Sequence, residues 1–247
     1  MKAGIIAAGE GSRLRSEGIA LPKPLVTVDG IPLIERLITT FIRCGITEIA
    51  CIVNEYSLEV KEFVEKKRFP IPIHCVVETT PSSMHSLFAL APHLRNDAFL
   101  LSTVDSIFSE DEFAGYLRYA GQHRSVDGIL AVTDFVDDEN PLHVEMDEKK
   151  RILSFKKSSI VPGSNQADWI TGGLYIFSPK IFREMDAVLA RGIERLRNFL
   201  TYLIESGYVL EGYPFSKIVD VDHAGDIKAA EELLGTANSK LTIRNSK

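Results

Sequence analysis

A short apolar run at residues 3–8 leads directly into Gly9-Glu10-Gly11-Ser12-Arg13-Leu14, and Leu21-Pro22-Lys23-Pro24-Leu25 follows. Glycines at 9 and 11 let backbone amides approach a polyphosphate without side-chain obstruction. Arg13 supplies a forked cation and Lys23 a compact one, both suited to phosphate oxygens. Prolines on either side of Lys23 stiffen the segment that aims it. A carboxylate, Asp105, follows the nearly all-apolar run 98–104. In that position it can give an oxygen ligand to a Mg²⁺ that bridges phosphates, or it can cap the next turn. A second acidic group stands in Val219-Asp220-Val221-Asp222-His223-Ala224-Gly225-Asp226-Ile227. Strand alternation would put Asp220 and Asp222 on one face, opposite Asp105, completing a metal site. Asp222 and Asp226 could also cap the final helix, and both roles can hold together.

These residues need a scaffold that brings distant segments to one edge. Strand-like runs at 48–53, 71–77 and 98–104 alternate with helical patterns, the first running from Ile31 through Ile34, Leu37, Ile38, Phe41 and Ile42, with Pro32 near its start and Gly45 at its stop. A second helix is marked by Val60, Phe63 and Val64, and a third by Met84, Leu87, Phe88 and Ala91, ending near Pro92. Ser109 with Glu112 reads as a capping box that opens a fourth. Further strands are expected at 128–133, 142–146, 151–156 and 169–177, then helices over 180–190 and 193–206. A last strand near 215–221 and a helix over 224–235 complete the chain, and the polar residues after Thr236 are expected to fray. The alternation implies right-handed βαβ units and a largely parallel sheet covered on both faces. Ligands of such sheets lie beyond the carboxyl ends of the strands, where residues 9–24 and Asp105 both fall. Residues 135–175 are expected to form a more antiparallel excursion.

The motifs resemble those of the sugar-phosphate nucleotidyltransferases, whose chains begin with a strand, Gly-x-Gly-[Ser/Thr]-Arg-Leu, Pro-Lys-Pro-Leu and a helix. Gly30-Ile31-Pro32-Leu33-Ile34 and the 219–227 segment extend the resemblance. It implies a Rossmann-like three-layer αβα sandwich with a mostly parallel central sheet. It also implies Mg²⁺-dependent transfer of a nucleotidyl group from an NTP to a sugar 1-phosphate, with pyrophosphate released. In that reading Arg13 and Lys23 are catalytic, and Ala8, Gly9, Glu10, Gly11, Ser12, Glu78 and Ser82 bind the nucleotide. Lys157, Gly172 and Gly173 hold the acceptor; Asp105 and Asp222, with Asp220 a close second, hold the metal. The chain departs from the family pattern at Val104, where a glycine is usual, at residues 78–87, which lack Gly-Thr-Ala-Gly, and at Lys156-Lys157-Ser158 in place of Glu-Lys-Pro. Two alternatives follow. One is a cytidylyltransferase for phosphocholine or another small phosphorylated alcohol, with Tyr175, Trp169 and Tyr213 available for an aromatic cage in the phosphocholine case. The other is a nucleotide-binding regulatory protein that lost turnover. A Rossmann dehydrogenase is unfavoured, because Leu14 stands where the third glycine of Gly-x-Gly-x-x-Gly belongs.

A net charge of -6 over 247 residues argues against a non-specific nucleic-acid binder. No run approaches the ~20 apolar residues of a membrane span, and the N-terminus lacks a signal h-region. Cys44, Cys51 and Cys75 show no framework spacing and fit a reducing compartment, so a cytoplasmic location is expected. Residues 1–235 are expected to form one domain followed by a polar tail, 236–247. No hexapeptide-repeat acyltransferase segment follows, so one activity is expected; the oligomeric state is left open.

Overall fold

The computed structural model describes residues 1–135, 140–156 and 168–244, with side chains as far as 235. Its strands are β1 (Lys2–Ile6), β2 (Thr27–Val28), β3 (Ile31–Pro32), β4 (Glu48–Val53), β5 (Ile73–Val77), β6 (Phe99–Thr103), β7 (Ser106–Phe108), β8 (Gly128–Thr133), β9 (His143–Met146), β10 (Ile152–Lys156), β11 (Trp169–Phe177), β12 (Leu210–Phe215) and β13 (Ile218–Asp220). The helices are α1 (Ser12–Ser16), α2 (Leu33–Arg43), α3 (Leu58–Lys67), α4 (Ser83–Leu94), α5 (Glu110–Gln122), α6 (Met185–Ala190), α7 (Leu196–Glu205) and α8 (Ala224–Arg244).

The main sheet has nine strands, running β10-β9-β11-β6-β1-β4-β5, with β8 between β11 and the edge strand β12. β6, β1, β4 and β5 are mutually parallel, and β12 is parallel to β8. β11 runs antiparallel to β6, β8 and β9, and β10 is antiparallel to β9. All strands of the sheet except β10 and β11 therefore point the same way. Within this sheet every antiparallel pairing involves β9, β10 or β11, which fall largely within the expected excursion, though the partners β6 and β8 lie outside it; β2–β3 and β7–β13 form separate antiparallel pairs.

Period-two burial explains the layers. On β4, Ile49, Cys51 and Val53 face a core shared with Ile34, Ile38 and Phe41 of α2, Val60 and Val64 of α3, and Phe113 and Tyr116 of α5. The alternate residues Ala50 and Ile52 face a second core built on Leu87 and Leu90 of α4 and Phe199, Leu200 and Leu203 of α7. A sheet buried on both faces reads as a continuous apolar run, as this one does. A third, smaller cluster joins Leu14 of α1, Val26, Val28, Leu33, Ile107, Val219, Val221 and Ala230. It glues the glycine-rich loop to the Asp220–Asp222 segment, although the two lie about two hundred residues apart.

Several expectations are corrected. Asp29 and Gly30, both with positive φ (50° and 71°), form a tight hairpin between β2 and β3, so α2 begins at Leu33 rather than Ile31. It ends in a Schellman motif: Gly45 N–H donates to Ile42 O and Ile46 N–H to Phe41 O. α4 ends at Leu94, two residues past Pro92, and Leu94 is buried in the core. Ser109 does precede α5, but its side chain makes no capping bond. Glu112 instead accepts hydrogen bonds from the Ser216 N–H (2.8 Å) and Oγ (3.0 Å), bracing the β12–β13 turn. The single strand expected near 215–221 is two strands. Gly212 and Pro214 disguise β12; its outer edge is met only at residues 211–212, by the Lys150–Arg151 turn, and Pro214 lies past that contact. The segment 180–190 opens with a 3-10 turn over Pro179–Glu184 before α6. The final helix runs on to Arg244, past the expected end at 235, as no proline interrupts it.

Candidate active site

The glycine-rich loop leaves β1 at the carboxyl edge of the sheet. Buried Asn54, just beyond β4, holds it there: its Nδ2 donates to Ala8 O (3.1 Å) while its Oδ1 accepts the Tyr56 N–H (3.1 Å). Gly11 has φ +59°, and a Cβ there would lie 3.1 Å from Lys23 Cβ and 3.6 Å from Lys23 N. Only glycine lets the two halves of the motif close on each other at this point. Lys23 opens a 3-10 turn, Lys23–Leu25, and its side chain is 9% exposed.

Its ammonium lies between two carboxylates. Lys23 Nζ is 2.5 Å from Asp105 Oδ2 and is also hydrogen-bonded to Asp222 Oδ1. Asp222 Oδ2 takes a second cation, Arg13 Nη1, at 2.7 Å. Burial alone would pull the Lys23 pKa down, but the charges of Asp105 and Asp222 outweigh it and the net shift is upward. For Asp105 burial pushes the pKa up, and the Lys23 charge and hydrogen bond bring it below the usual value. Asp220 sits behind them. Burial, then the charge of Asp105, pushes its pKa up to about 7, opposed by the Ser106 Oγ hydrogen bond at 2.8 Å.

Backbone bonds fix the cluster. Val221 N–H donates to Asp105 O (3.1 Å), and Asp222 N–H donates to Asp220 O (3.0 Å), a tight turn just beyond β13. That turn breaks the alternation expected to place Asp220 and Asp222 alike: Asp222 meets the cations, whereas Asp220 turns to Ser106. Asp226 accepts the Asp222 and His223 N–H groups at 2.9 and 2.6 Å and supplies the capping; the Asp222 side chain does not.

The donor set suits a hard divalent cation that also has substrate ligands. Asp105 Oδ1 is buried with no hydrogen-bond partner of good geometry. Among the described residues no three His, Cys, Asp or Glu side chains form a ready metal cage. An ion at this point would rely on one or two carboxylates plus phosphate oxygens and water, as Mg²⁺ commonly does.

Two hollows meet at the Arg13–Asp222 pair. The larger, about 370 Å³, is lined by Gly9, Gly11, Ser12, Arg13, Lys23 and Asp105, with Ile6, Ser83, Thr103, Val104 and Asp222. The other is a narrow cleft of about 20 Å³ whose walls include Arg13, Thr133, Gly172, Asp220, Asp222 and His223. Arg13, Lys23, Gly9, Gly11, Ser12, Asp105 and Asp222 thus converge as expected. Ala8 and Glu10 stay in the loop without lining either hollow. Glu78 is exposed, its N–H bonded to Val53 O. Ser82 Oγ is engaged by the Arg195 N–H (3.2 Å) and by His85 Nδ1 (2.9 Å), and neighbouring Ser83 lines the cavity instead. Lys157 lies outside the described residues. Asn54, Ser83 and Thr103 were not singled out from sequence; each stands at or just past a strand end, or at a helix start, on the ligand edge.

Gly172 and Gly173 sit at a register shift between β11 and β8. Gly172 lines the cleft, but a Cβ there would be 2.2 Å from Ile218 Cδ1. Gly173, with φ +73°, is turned away from both hollows. Its missing Cβ makes room for Ser106 Oγ (2.2 Å) and Thr103 Oγ1 (2.6 Å), the pair that supports Asp220. The glycine serves the bulge and its hydroxyl network. Gly173→Ala is expected to cost about 2 kcal/mol or more, from left-handed strain plus a displaced hydrogen bond, measurable by urea denaturation.

A family profile described as Nucleotidyl transferase matches residues 2–234. The chain belongs to the nucleotidyl transferase family. It is 30% identical over 185 residues to the mannose-1-phosphate guanylyltransferase catalytic subunit beta of Dictyostelium discoideum, covering 73% of this chain and 50% of that protein. It is 25% identical over 222 residues to the glucose-1-phosphate thymidylyltransferase of Streptomyces antibioticus, covering 86% and 61%. The chain thus spans about half the length of the first of these relatives. The inositol-1-phosphate CTP transferase of T. maritima shares the fold, with a TM-score of 0.79 over 96% of this chain and 95% of that one at 20% identity.

Proposed function

We propose that this nucleotidyl transferase moves a nucleotidyl group from an NTP to a sugar 1-phosphate and releases pyrophosphate. One observation carries the reading. At the base of a cavity walled by Gly9, Gly11 and Ser12, the Lys23 ammonium and the Arg13 guanidinium share the carboxylates of Asp105 and Asp222. That is a phosphate-neutralising set placed beside a divalent-cation donor set.

The acceptor phosphate is ionised near neutral pH, so no protein nucleophile is required. Its oxygen forms a bond to the NTP α-phosphorus as the bond from that phosphorus to the bridging oxygen breaks, and pyrophosphate leaves. The Gly9–Ser12 backbone admits the phosphates, Lys23 neutralises charge on the α-phosphate and Arg13 on the leaving group. Asp105 and Asp222, with Asp220 behind them, would hold Mg²⁺, which would supply charge neutralisation at the phosphates. NTP and acceptor would align for in-line attack in the larger cavity, near the Arg13–Asp222 pair where the narrow cleft joins it.

Two further expectations belong to the same reading. Residues 1–235 act as one unit. The location is cytoplasmic, supported by three free cysteines and by the absence, among the described residues, of any helix long and apolar enough to cross a membrane. The phosphocholine reading is weakened, since its aromatics are not gathered at the cleft. Tyr175 and Trp169 pack into the α4–α7 core, and Tyr213 packs on Tyr116, Tyr119 and Phe215.

The test is pyrophosphate release from ATP, CTP, GTP, UTP and dTTP with Mg²⁺ and a panel of sugar 1-phosphates, inositol 1-phosphate and phosphocholine. One NTP–acceptor pair should stand out, and EDTA should abolish its signal, with excess Mg²⁺ restoring it. Tight NTP binding without turnover would point to the regulatory binder. A chain that binds no NTP would refute the reading.

A further inference from the structure

The walls of the larger cavity divide by chemistry. Gly9, Gly11, Ser12, Arg13 and Lys23, with the carboxylates of Asp105 and Asp222, offer phosphates their amides, cations and metal donors. Of the other wall residues, Thr103 and Val104 adjoin Asp105, whereas Ile6 closes β1 and Ser83 opens α4. A nucleoside whose phosphates occupy the charged walls extends toward Ile6 and Ser83, which carry no charge.

In the sheet β4 stands between β1 and β5. The turn 54–57 that follows β4 therefore lies between the strand end leading to Ala8 and the one leading to residues 79–83. Hydrogen bonds fix it on both sides. Asn54 Nδ2 donates to Ala8 O (3.1 Å), and the Glu55 N–H donates to Thr79 Oγ1 (3.2 Å). Just below, the Glu78 N–H donates to Val53 O (3.0 Å). The Tyr56 N–H is itself held by Asn54 Oδ1 at 3.1 Å. The backbone of Tyr56 is thus anchored to both lips of the cavity. Its ring is 82% exposed and has no hydrogen bond or ring contact with any described residue. An anchored backbone that carries a free aromatic ring meets the needs of a stacking platform: every base has a π-face, and little order remains to be gained on binding.

We propose that the nucleobase of the NTP stacks on Tyr56, which adds affinity for the nucleoside without selecting the base. The inference rests on the nucleotidyl-transfer reading above and deepens it. Tyr56 is a binding residue, remote from the reacting phosphates.

The test uses Tyr56→Ala and Tyr56→Trp in the whole chain. Calorimetry gives the Kd of each NTP and of inorganic tripolyphosphate, which has the phosphates but no base. Tyr56→Ala should leave the thermal midpoint unchanged, since the ring has no partner to lose. It should weaken every NTP that binds by a similar factor, ~tenfold, within the range of one base–aromatic stack, while kcat at saturation stays the same. Tyr56→Trp should restore NTP affinity, and tripolyphosphate should bind both variants as it binds the unaltered protein. Unchanged NTP affinity in Tyr56→Ala overturns the proposal. So does an equal weakening of tripolyphosphate, which would mark a displaced glycine-rich loop, and so does a loss that Tyr56→Trp fails to recover. If the unaltered protein binds NTP but turns over no acceptor, the transfer reading falls while the Kd comparison still decides this one; if it binds no NTP, both fall.

Discussion

Lys23→Met is expected to lower kcat by ~10²–10³-fold, the usual effect of losing one preorganised charge-stabilising group, with a smaller change in NTP affinity. Pyrophosphate release under saturating substrates would measure it. Stability should fall too. The 9%-exposed Lys23 is the shared counter-ion of Asp105 and Asp222, and its removal leaves two carboxylates facing each other. The cost should be about 3 kcal/mol, the lower end for breaking a buried pair, since Asp222 is 33% exposed. The pH dependence carries a sign that can be checked. Without Lys23 the folded-state pKa of Asp105 rises above its unfolded value, so the folded state binds more protons and the variant becomes more stable as pH falls. The unaltered protein, in which Asp105 is depressed, should instead lose this contribution as pH falls through the folded pKa. A Lys23→Met enzyme with unchanged kcat would remove Lys23 from the chemistry.

Asp222→Ala should produce a comparable loss of turnover, ~10²–10³-fold, with a smaller loss of stability than Lys23→Met because Lys23 keeps Asp105. Its carboxylate binds Lys23 on one oxygen and Arg13 on the other, but it caps nothing: the helix-entry N–H groups are taken by Asp226 and Glu17. Asp226→Ala supplies the contrast. It should cost about 1 kcal/mol as a lost cap, read by urea denaturation, and should disturb kcat less. If Asp222→Ala retained turnover and Asp226→Ala lost it, the roles assigned to the two aspartates would be exchanged.

The strongest elements could be read directly from the sequence because their signal is local. β4 and β11 fall at their expected bounds, and the burial of β4 on both faces follows its unbroken apolar run. The Gly9–Leu14 and Lys23 motifs were visible for the same reason, since residue type and spacing carry them. Errors arose where a residue had competing partners. Ser109 and Glu112 have the spacing of a capping box, yet Glu112 is taken by Ser216, more than a hundred residues away. Ser82 looked available to a nucleotide, yet the Arg195 backbone claims its hydroxyl. β12 was hidden by Gly212 and Pro214, which only an edge position tolerates.

The residue types at Arg13, Lys23, Asp105 and Asp222, and the alternation that delivers them to one sheet edge, lie within short stretches of chain and follow from local propensity and hydrophobic period. Which carboxylate meets which cation does not. That Asp222 pairs with Arg13 and Lys23 while Asp220 turns to Ser106 depends on the tight turn at Val221. It depends also on the small core that docks α1 against β13 and α8. Glu17 meets His223 in the same way, across 206 positions of sequence. Such choices are made by packing and desolvation among segments remote in the chain, and they exist only once the fold has brought those segments together.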